Sequence, residues 1–401
     1  MHSPAPPTRL IAACCRRLDD PGRPAAIAEH IGAVRVWEAF PDLVRRHRVH
    51  PQTLAALKGH PAVPDSVITT LDRRAKALRL RGLRQLAELL RATALLRDAG
   101  IPVAEIKGIT LGVLAYGTAE NKESVDLDLL VPPEAGREAL QLLLAHGYRH
   151  KRAGTGLTAD QIRALVRNRK DVGLLGPGKA KLELHWGLNS GTGLLEGAGE
   201  TLAWQDVAVA PGRSVSTLAM PDLVAYLAVH GSLHDWARIK WLADFDALFR
   251  KAAPADRAAW MEHAGMLGAD RWLRHAIAVA ERVIAPYDEA ASNAAAQDFA
   301  AQHETRRVLD RALRCMEAPY PAPRENLRQK LAGAREELAT KLPLFGRLID
   351  ARLLLRPYLF VEEDILRFPL PDRLRYLYPL MRGFIWAAGR MFRGRRATVP
   401  A

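Results

Sequence analysis

The sequence predicts an α+β fold, predominantly helical, in which a small mixed β-sheet is flanked by helical regions on both sides. Three observations predict it. Two short stretches, 125–131 and 181–186, alternate charged and apolar residues with the period of a strand, and a Lys-Gly turn precedes the first. The segment leading into them carries apolar side chains at threes and fours, the spacing of a helix packed along one stripe. Beyond about residue 252 the pattern stays helical with no strand signal. The expected division is a helical region at 1–98, an α/β core at 99–217 and a helical domain at 218–401, since 401 residues exceed what one compact core needs.

In order along the chain, Pro4, Pro6 and Pro7 mark a loose start, and residues 30–40 and 43–48 show short helical patterns. Asp65-Ser66 offers an N-cap to a long helix in which Leu71, Ala75, Leu78, Leu86, Leu89 and Leu96 make one apolar stripe. Arg73, Arg74, Lys76, Arg79, Arg81, Arg84 and Arg91 decorate the rest, as a solvated basic face or, alternatively, a nucleic-acid contact. Asp98-Ala99-Gly100 ends the helix.

Residues 102–106 form a short apolar strand ending at Lys107-Gly108, and 109–116 a compact apolar helix. The strand 125–131 follows and is stopped by Pro132-Pro133. Asp126 and Asp128 are two residues apart and so leave one face of it, while Val125, Leu127 and Leu129 leave the other. Neighbouring carboxylates raise each other's pKa and are costly to bury without a cation. An oxygen-only pair suits Mg²⁺ or Mn²⁺, with waters and substrate phosphates completing the shell. The plainer alternative is an edge strand with two solvated aspartates. The Lys-Gly turn, the apolar flanks and a second carboxylate strand favour the metal. In that second strand Lys181, Glu183 and His185 share a face opposite Leu182, Leu184 and Trp186. If it pairs beside the aspartate strand, Glu183 completes a three-carboxylate cluster, and two such ions would clamp an α-phosphate and activate an attacking hydroxyl.

A helix is expected at 134–146, with Gly147-Tyr148 turning the chain back to the sheet. Arg163, Arg167, Arg169 and Lys170 are surface residues or, less simply, phosphate contacts. The turn GPGKA joins 172–175 to 181–185 as a hairpin, and it lacks the Lys-Ser/Thr ending and following helix of a P-loop. Residues 187–199 form a glycine-rich connector beside the site, and a hairpin of 207–209 with 214–217 is expected to close the sheet. Residues 222–250 make one or two apolar helices bearing His230, His234, Trp236, Lys240 and Asp244. His230 and His234 share a helix face, as packing histidines or as part of a nucleotide or acceptor pocket. A hydrolase-type metal site through His234-Asp235 is a third reading. Lys240 is placed to face phosphates, although its neighbour Trp241 suggests ordinary half-burial. Residues 291–302 are polar and alanine-rich, and 317–323 are a proline-broken linker. The aromatic, arginine-rich tail 374–396 either packs on the protein or lies on an anionic membrane as a peripheral contact.

Composition narrows the setting. Cys14, Cys15 and Cys315 form no disulfide framework, which suits a reducing cytoplasm. The start shows no signal-length apolar core, and no stretch reaches the roughly 18 uncharged apolar residues that span a bilayer, so a soluble cytoplasmic protein is expected. A formal charge of +14 invites a polyanion, whether nucleotide, nucleic acid or anionic membrane.

The runs Lys107-Gly108-x-Thr110-Leu111, VDLDLLV, KLELHW and HGSLHDWARIKWLADFDAL, with LRDAGIPVAEIKG before them and FPLPDRLRYLYPLMR after, resemble a bacterial group of the DNA polymerase β-like nucleotidyltransferase superfamily. The resemblance covers roughly residues 35 to 392. It implies a sheet of nucleotidyltransferase type and an activity that moves a nucleoside monophosphate from an NTP to an acceptor hydroxyl or phosphate, releasing pyrophosphate. ATP is included among the NTPs, and the acceptor it suggests is a small molecule, peptide or sugar; a nucleic-acid acceptor and a catalytically silent nucleotide-binding scaffold are the alternatives. By resemblance Lys107-Gly108 is the turn that approaches the phosphates, Asp126 and Asp128 are metal ligands and Glu183 is the third carboxylate. Lys107, Gly108, Lys122, His185, His230 and Lys240 would then contact the nucleotide. Two departures bear on efficiency or NTP choice. Lys122 stands where relatives often carry Arg, which removes a bidentate fork, and Lys-Gly replaces the Gly-Ser of better-known superfamily members.

Overall fold

Helices fill the chain up to the sheet because their apolar residues recur at helical spacing and prolines stand in the first turns of the first four. They are α1 (Pro6–Cys14), α2 (Arg23–Ile31), α3 (Phe40–His47), α4 (His50–Leu57) and α5 (Asp65–Asp98). The computed structural model describes residues 4–154, 156–189, 194–199, 203–287, 303–318, 333, 335–339, 341–344 and 359–381. The expected stretches 291–302 and most of 317–323 and 374–396 lie outside them. The helix expected at 30–40 is corrected: α2 stops at Ile31, and Gly32 with the β-branched Val34 and Val36 breaks the run before Pro41 opens α3. In α5, Pro64 holds the cap position and Asp65 is already helical, without a side-chain cap. The helix ends, as expected, where Gly100 takes φ +76°.

The core runs β1 (Ala104–Lys107), α6 (Ile109–Tyr116), β2 (Leu127–Leu130), α7 (Gly136–Ala145), β3 (Arg149–His150), α8 (Ala159–Asn168), β4 (Asp171–Leu175) and β5 (Lys181–His185). Pro133–Ala135 form a short 3-10 turn, so α7 begins two residues later than expected. The five strands form one sheet in the order β1-β2-β5-β4-β3. All neighbours are antiparallel except β2 and β5, which run parallel, so the sheet is mixed. The hairpin β6 (Trp204–Ala210) with β7 (Arg213–Leu218) does not close this sheet as expected. It is a separate two-stranded ribbon that packs on β1, with the Thr217 hydroxyl donating to the Glu105 carbonyl at 2.6 Å.

Beyond the ribbon lie α9 (Met220–Leu233), α10 (Ile239–Lys251), α11 (Pro254–Met266), α12 (Asp270–Val283) and a helix His303–Glu317. The fold is therefore α+β and dominated by helix. One face of the sheet, with Leu127, Leu129, Val172, Leu174, Leu182 and Leu184, is buried against α5, α7 and α8. Helices α1 to α4 and α9 to α12 share a second apolar cluster. The opposite face of the sheet is polar, and α9 and α10 stand across a cavity from it. No helix among the described residues is long and apolar enough to cross a membrane.

Candidate active site

The parallel pairing of β2 with β5 builds the site. Its register sets Asp128 opposite Glu183 and Leu130 opposite His185. Adjacent strands in register point side chains to the same face, so Asp128, Glu183 and His185 converge on the polar side of the sheet. Their ligand atoms all lie within 4.8 Å of one another. His185 Nε2 is 3.3 Å from Asp128 Oδ1 and 3.9 Å from Glu183 Oε2. Asp171, opposite His185 on β4, adds a carboxylate 3.8 Å from Nδ1.

Cations balance these acids. A register shift in β1 sets Lys107 opposite Asp128, with Nζ 3.1 Å from Oδ1. Burial alone would raise the Asp128 carboxyl, but Lys107 and His185 outweigh it and hold it well below the usual carboxylate range. Lys107 is itself raised: burial opposes its charge, and Asp128, Tyr226 and Asp126 more than restore it. Asp171 is likewise brought down to about 2, against its burial, by Lys170, His185 and Arg169. Lys151 reaches Glu183 at 3.2 Å by crossing Gly173, where a Cβ would stand 2.6 Å from Lys151 Cδ.

All nine residues singled out from the sequence line one cavity of about 590 Å³: Lys107, Gly108, Lys122, Asp126, Asp128, Glu183, His185, His230 and Lys240. Their local settings differ from expectation in three places. The strand bearing the aspartates starts at Leu127 and not at 125, so Asp126 precedes it and stands outside the Asp128–Glu183–His185 group. The reason is pairing: β1 ends at Lys107 opposite Asp128, and the Val125 carbonyl instead accepts from Arg81 at 2.8 Å. Second, the set within reach of one ion is not oxygen-only, because His185 joins it. Third, Lys122 is committed. Its ammonium pairs with Asp244, both side chains only 4% exposed, and Tyr116 OH donates to the same carboxylate at 2.9 Å.

The turn at Gly108 is also partly satisfied from within. Gly108 takes φ +117°, and the Glu105 carboxylate behind it accepts from Ile109 N at 3.0 Å and Thr110 N at 2.7 Å. Those are the first amides of α6, so an internal carboxylate already meets that helix terminus. The opposite wall is aromatic. His234 stacks on Trp241 with ring centroids 5.0 Å apart, His230 meets His234 edge-on at 4.7 Å, and the Arg238 guanidinium lies over Trp241. Burial and the Lys107 charge push His230 well below its ordinary value, so it is neutral at pH 7. The hydrolase-type reading of His234-Asp235 finds no cluster among the described residues, because Asp235 is held by Arg311 at 2.9 and 3.0 Å.

Sequence reasoning missed Lys151, Asp171 and Glu105. A glycine inside a strand pattern at Gly173, and the alternation that puts Asp171 in step with it, were the available signals. It also missed Glu337, Lys341 and Phe360, which reach the cavity from far along the chain and carry no local signal.

No curated protein matches the chain. The model of a family described as uncharacterised nucleotidyltransferase matches residues 34–285, which include β1 to β7 and α9 to α12. That segment is more than half of the chain and contains the whole Asp128–Glu183–His185 cluster, a donor set that fits a divalent metal; the chain belongs to the uncharacterised nucleotidyltransferase family.

Proposed function

We propose that the protein transfers a nucleoside monophosphate from an NTP to an acceptor hydroxyl or phosphate and releases pyrophosphate, with a divalent metal, the acceptor being a small molecule, peptide or sugar. The observation that carries this reading is the parallel β2–β5 register, which sets Asp128, Glu183 and His185 within one ligand sphere on the floor of a nucleotide-sized cavity. Two carboxylates and an imidazole, close enough to share an ion, fit a divalent cation, with Asp126 on the same cavity wall. The imidazole extends the oxygen set read from the sequence, so Mn²⁺ suits it at least as well as Mg²⁺. When bound, such an ion neutralises phosphate charge and lowers the pKa of an acceptor hydroxyl.

The chain's own residues do the rest. Lys107 presents its ammonium group to the cavity that holds the triphosphate, and Lys240, brought down to about 7, lines the same cavity. The His234–Trp241 stack offers a flat apolar face to a base. Glu183, one-third exposed beside Lys151, stands where it can take the acceptor's proton as the new P–O bond forms and the bond to pyrophosphate breaks.

One observation favours a second reading, a silent nucleotide-binding scaffold: Lys107 and Lys151 already neutralise Asp128 and Glu183. Thermal stabilisation by each of the four NTPs, with and without Mg²⁺ or Mn²⁺, tests both, alongside pyrophosphate release. A transferase gives a metal-dependent shift and pyrophosphate release, both lost in Asp126→Asn/Asp128→Asn. A shift without release is the scaffold. No shift in either protein removes both readings.

A further inference from the structure

His185 stands between two carboxylates, one for each ring nitrogen. On one side Nε2 lies 3.3 Å from Asp128 Oδ1. On the other, Nδ1 faces Asp171 Oδ2 at 3.8 Å, because the β4–β5 register sets Asp171 opposite His185. Nδ1 is buried away from water and makes no hydrogen bond among the described residues, so Asp171 is the acceptor at hand for a proton there. The backbone pins that carboxylate beside the ring. The Lys170 carbonyl accepts from Trp186 N at 3.0 Å, and the Arg169 carbonyl from the Trp186 indole at 2.7 Å. The other charged partners of Asp171 are cations, Lys170 at 3.2 Å and Arg169 at 3.4 Å. Asp171 is outside the group whose ligand atoms come within 4.8 Å of one another, so it adjoins the Asp128–Glu183–His185 cluster without being part of it.

We infer that Asp171 is a positioning residue: it holds the ring proton of His185 on Nδ1, leaves the Nε2 lone pair to a cation, and so makes the cluster select Mn²⁺ over Mg²⁺. The inference rests on the metal-dependent transferase reading, because it needs a cation among Asp128, Glu183 and His185. A neutral imidazole carries one N–H, and only the nitrogen without it can bind a metal. The Asp128 contact draws the proton to Nε2, where it blocks the cluster, and the Asp171 contact draws it to Nδ1. Bringing Nδ1 to hydrogen-bond length from Asp171 takes a movement of about 1 Å. A carboxylate placed so fixes the ring and makes the opposite lone pair more basic. With that lone pair free the site offers two carboxylates and a nitrogen, which Mn²⁺ accepts and the harder Mg²⁺ accepts poorly. With it blocked, two carboxylates remain and the preference for Mn²⁺ is lost.

Titration of the full chain with Mn²⁺, and with Mg²⁺ by competition against it, tests this in wild type and in variants whose folding is checked by circular dichroism. Wild type should prefer Mn²⁺. In Asp171→Ala the Mn²⁺ affinity should fall about tenfold or more, and the Mg²⁺ affinity by clearly less, so the preference shrinks. The Asp171 side chain is one-fifth exposed, and Asp171→Leu is a second variant without an acceptor should Asp171→Ala not fold. Asp171→Asn loses the charge but keeps an oxygen that can accept from Nδ1, so it should recover much of the preference. A role through charge or fold alone would weaken both ions together and make Asn no better than Ala. In a His185→Ala background, Asp171→Ala should not change the preference further. Equal losses for the two ions, no rescue by Asn, or a wild type that binds Mn²⁺ without preferring it each overturns the positioning role and leaves the transferase reading standing. If wild type binds neither ion, with or without NTP, the positioning role falls together with the transferase reading.

Discussion

Lys240 shows what the cavity does to a single side chain. Burial and the neighbouring Lys122 push its ammonium down to about 7, while its Nζ donates to the Glu123 carbonyl at 3.1 Å. The folded value lies below the unfolded one, so between about pH 7 and 10.5 the unfolded chain holds the extra proton. Stability from this residue therefore rises with pH across that window. Urea midpoints of wild type relative to Lys240→Met should increase from pH 7 to pH 9, and a flat difference would show that Lys240 keeps its charge. Glu105 makes a second residue-scale prediction. Its two oxygens accept the first two amides of α6, and a Gln there would set an N–H₂ against one of them. Glu105→Gln should cost about 1–3 kcal/mol in urea denaturation, the penalty for a buried donor left unmet. Asp128, Glu183 and Lys107 were legible as candidates because two-residue alternation and a Lys-Gly turn are local patterns. Lys151 and Glu105 were not, since their partners are set by strand register and by a helix end.

At the scale of elements, the sheet was legible where each strand carries its own alternation and misread where pairing decides. The β4–β5 hairpin lies within one residue of the expected 172–175 with 181–185, and α6 spans the expected 109–116. The onset of β2 does not, because a strand lasts only as long as its neighbour, and β1 ends opposite Asp128. The ribbon was expected to join the sheet, yet no single-strand pattern specifies which edge it meets. Gly173 is the element-scale device at the site: it lets Lys151 cross β4 to Glu183. Lys151 competes with any cation for that carboxylate. Lys151→Met, and Gly173→Ala by crowding Lys151 aside, should each tighten Mn²⁺ binding about threefold to tenfold by titration calorimetry. Unchanged affinity in both would mean that Glu183 does not contribute to the metal site.

The whole molecule closes the cavity from beyond the segment that the family model matches. Residues 34–285 supply the carboxylates, but Glu337, Lys341 and Phe360 complete the wall. One contact that joins the two parts is a clasp at the end of α9. Asp235 and Trp236 take φ of 51° and 48°, a left-handed backbone that costs energy for residues other than glycine. Two features offset that cost. Trp236 is fully buried against Gly231, and Asp235 receives a two-pronged contact from Arg311 with Lys341 3.5 Å away. Lys341 in turn donates to the Leu233 carbonyl at 2.6 Å, so the turn that aims His234 at the cavity is held from the C-terminal side. None of this was visible locally, since an aspartate and an arginine 76 residues apart announce nothing to each other. Arg311→Ala should lower stability by about 1–3 kcal/mol, because the pair is mostly buried and, among the described residues, Asp235 is left with Lys341. In a double-mutant cycle with Asp235→Asn the two losses should be far from additive. The nucleotide-induced thermal shift should shrink in Arg311→Ala as well, since the turn that positions His234 loses its brace. A stability loss with an undiminished shift would mean that the clasp serves the fold alone, and that the C-terminal wall stands beside the site without shaping it.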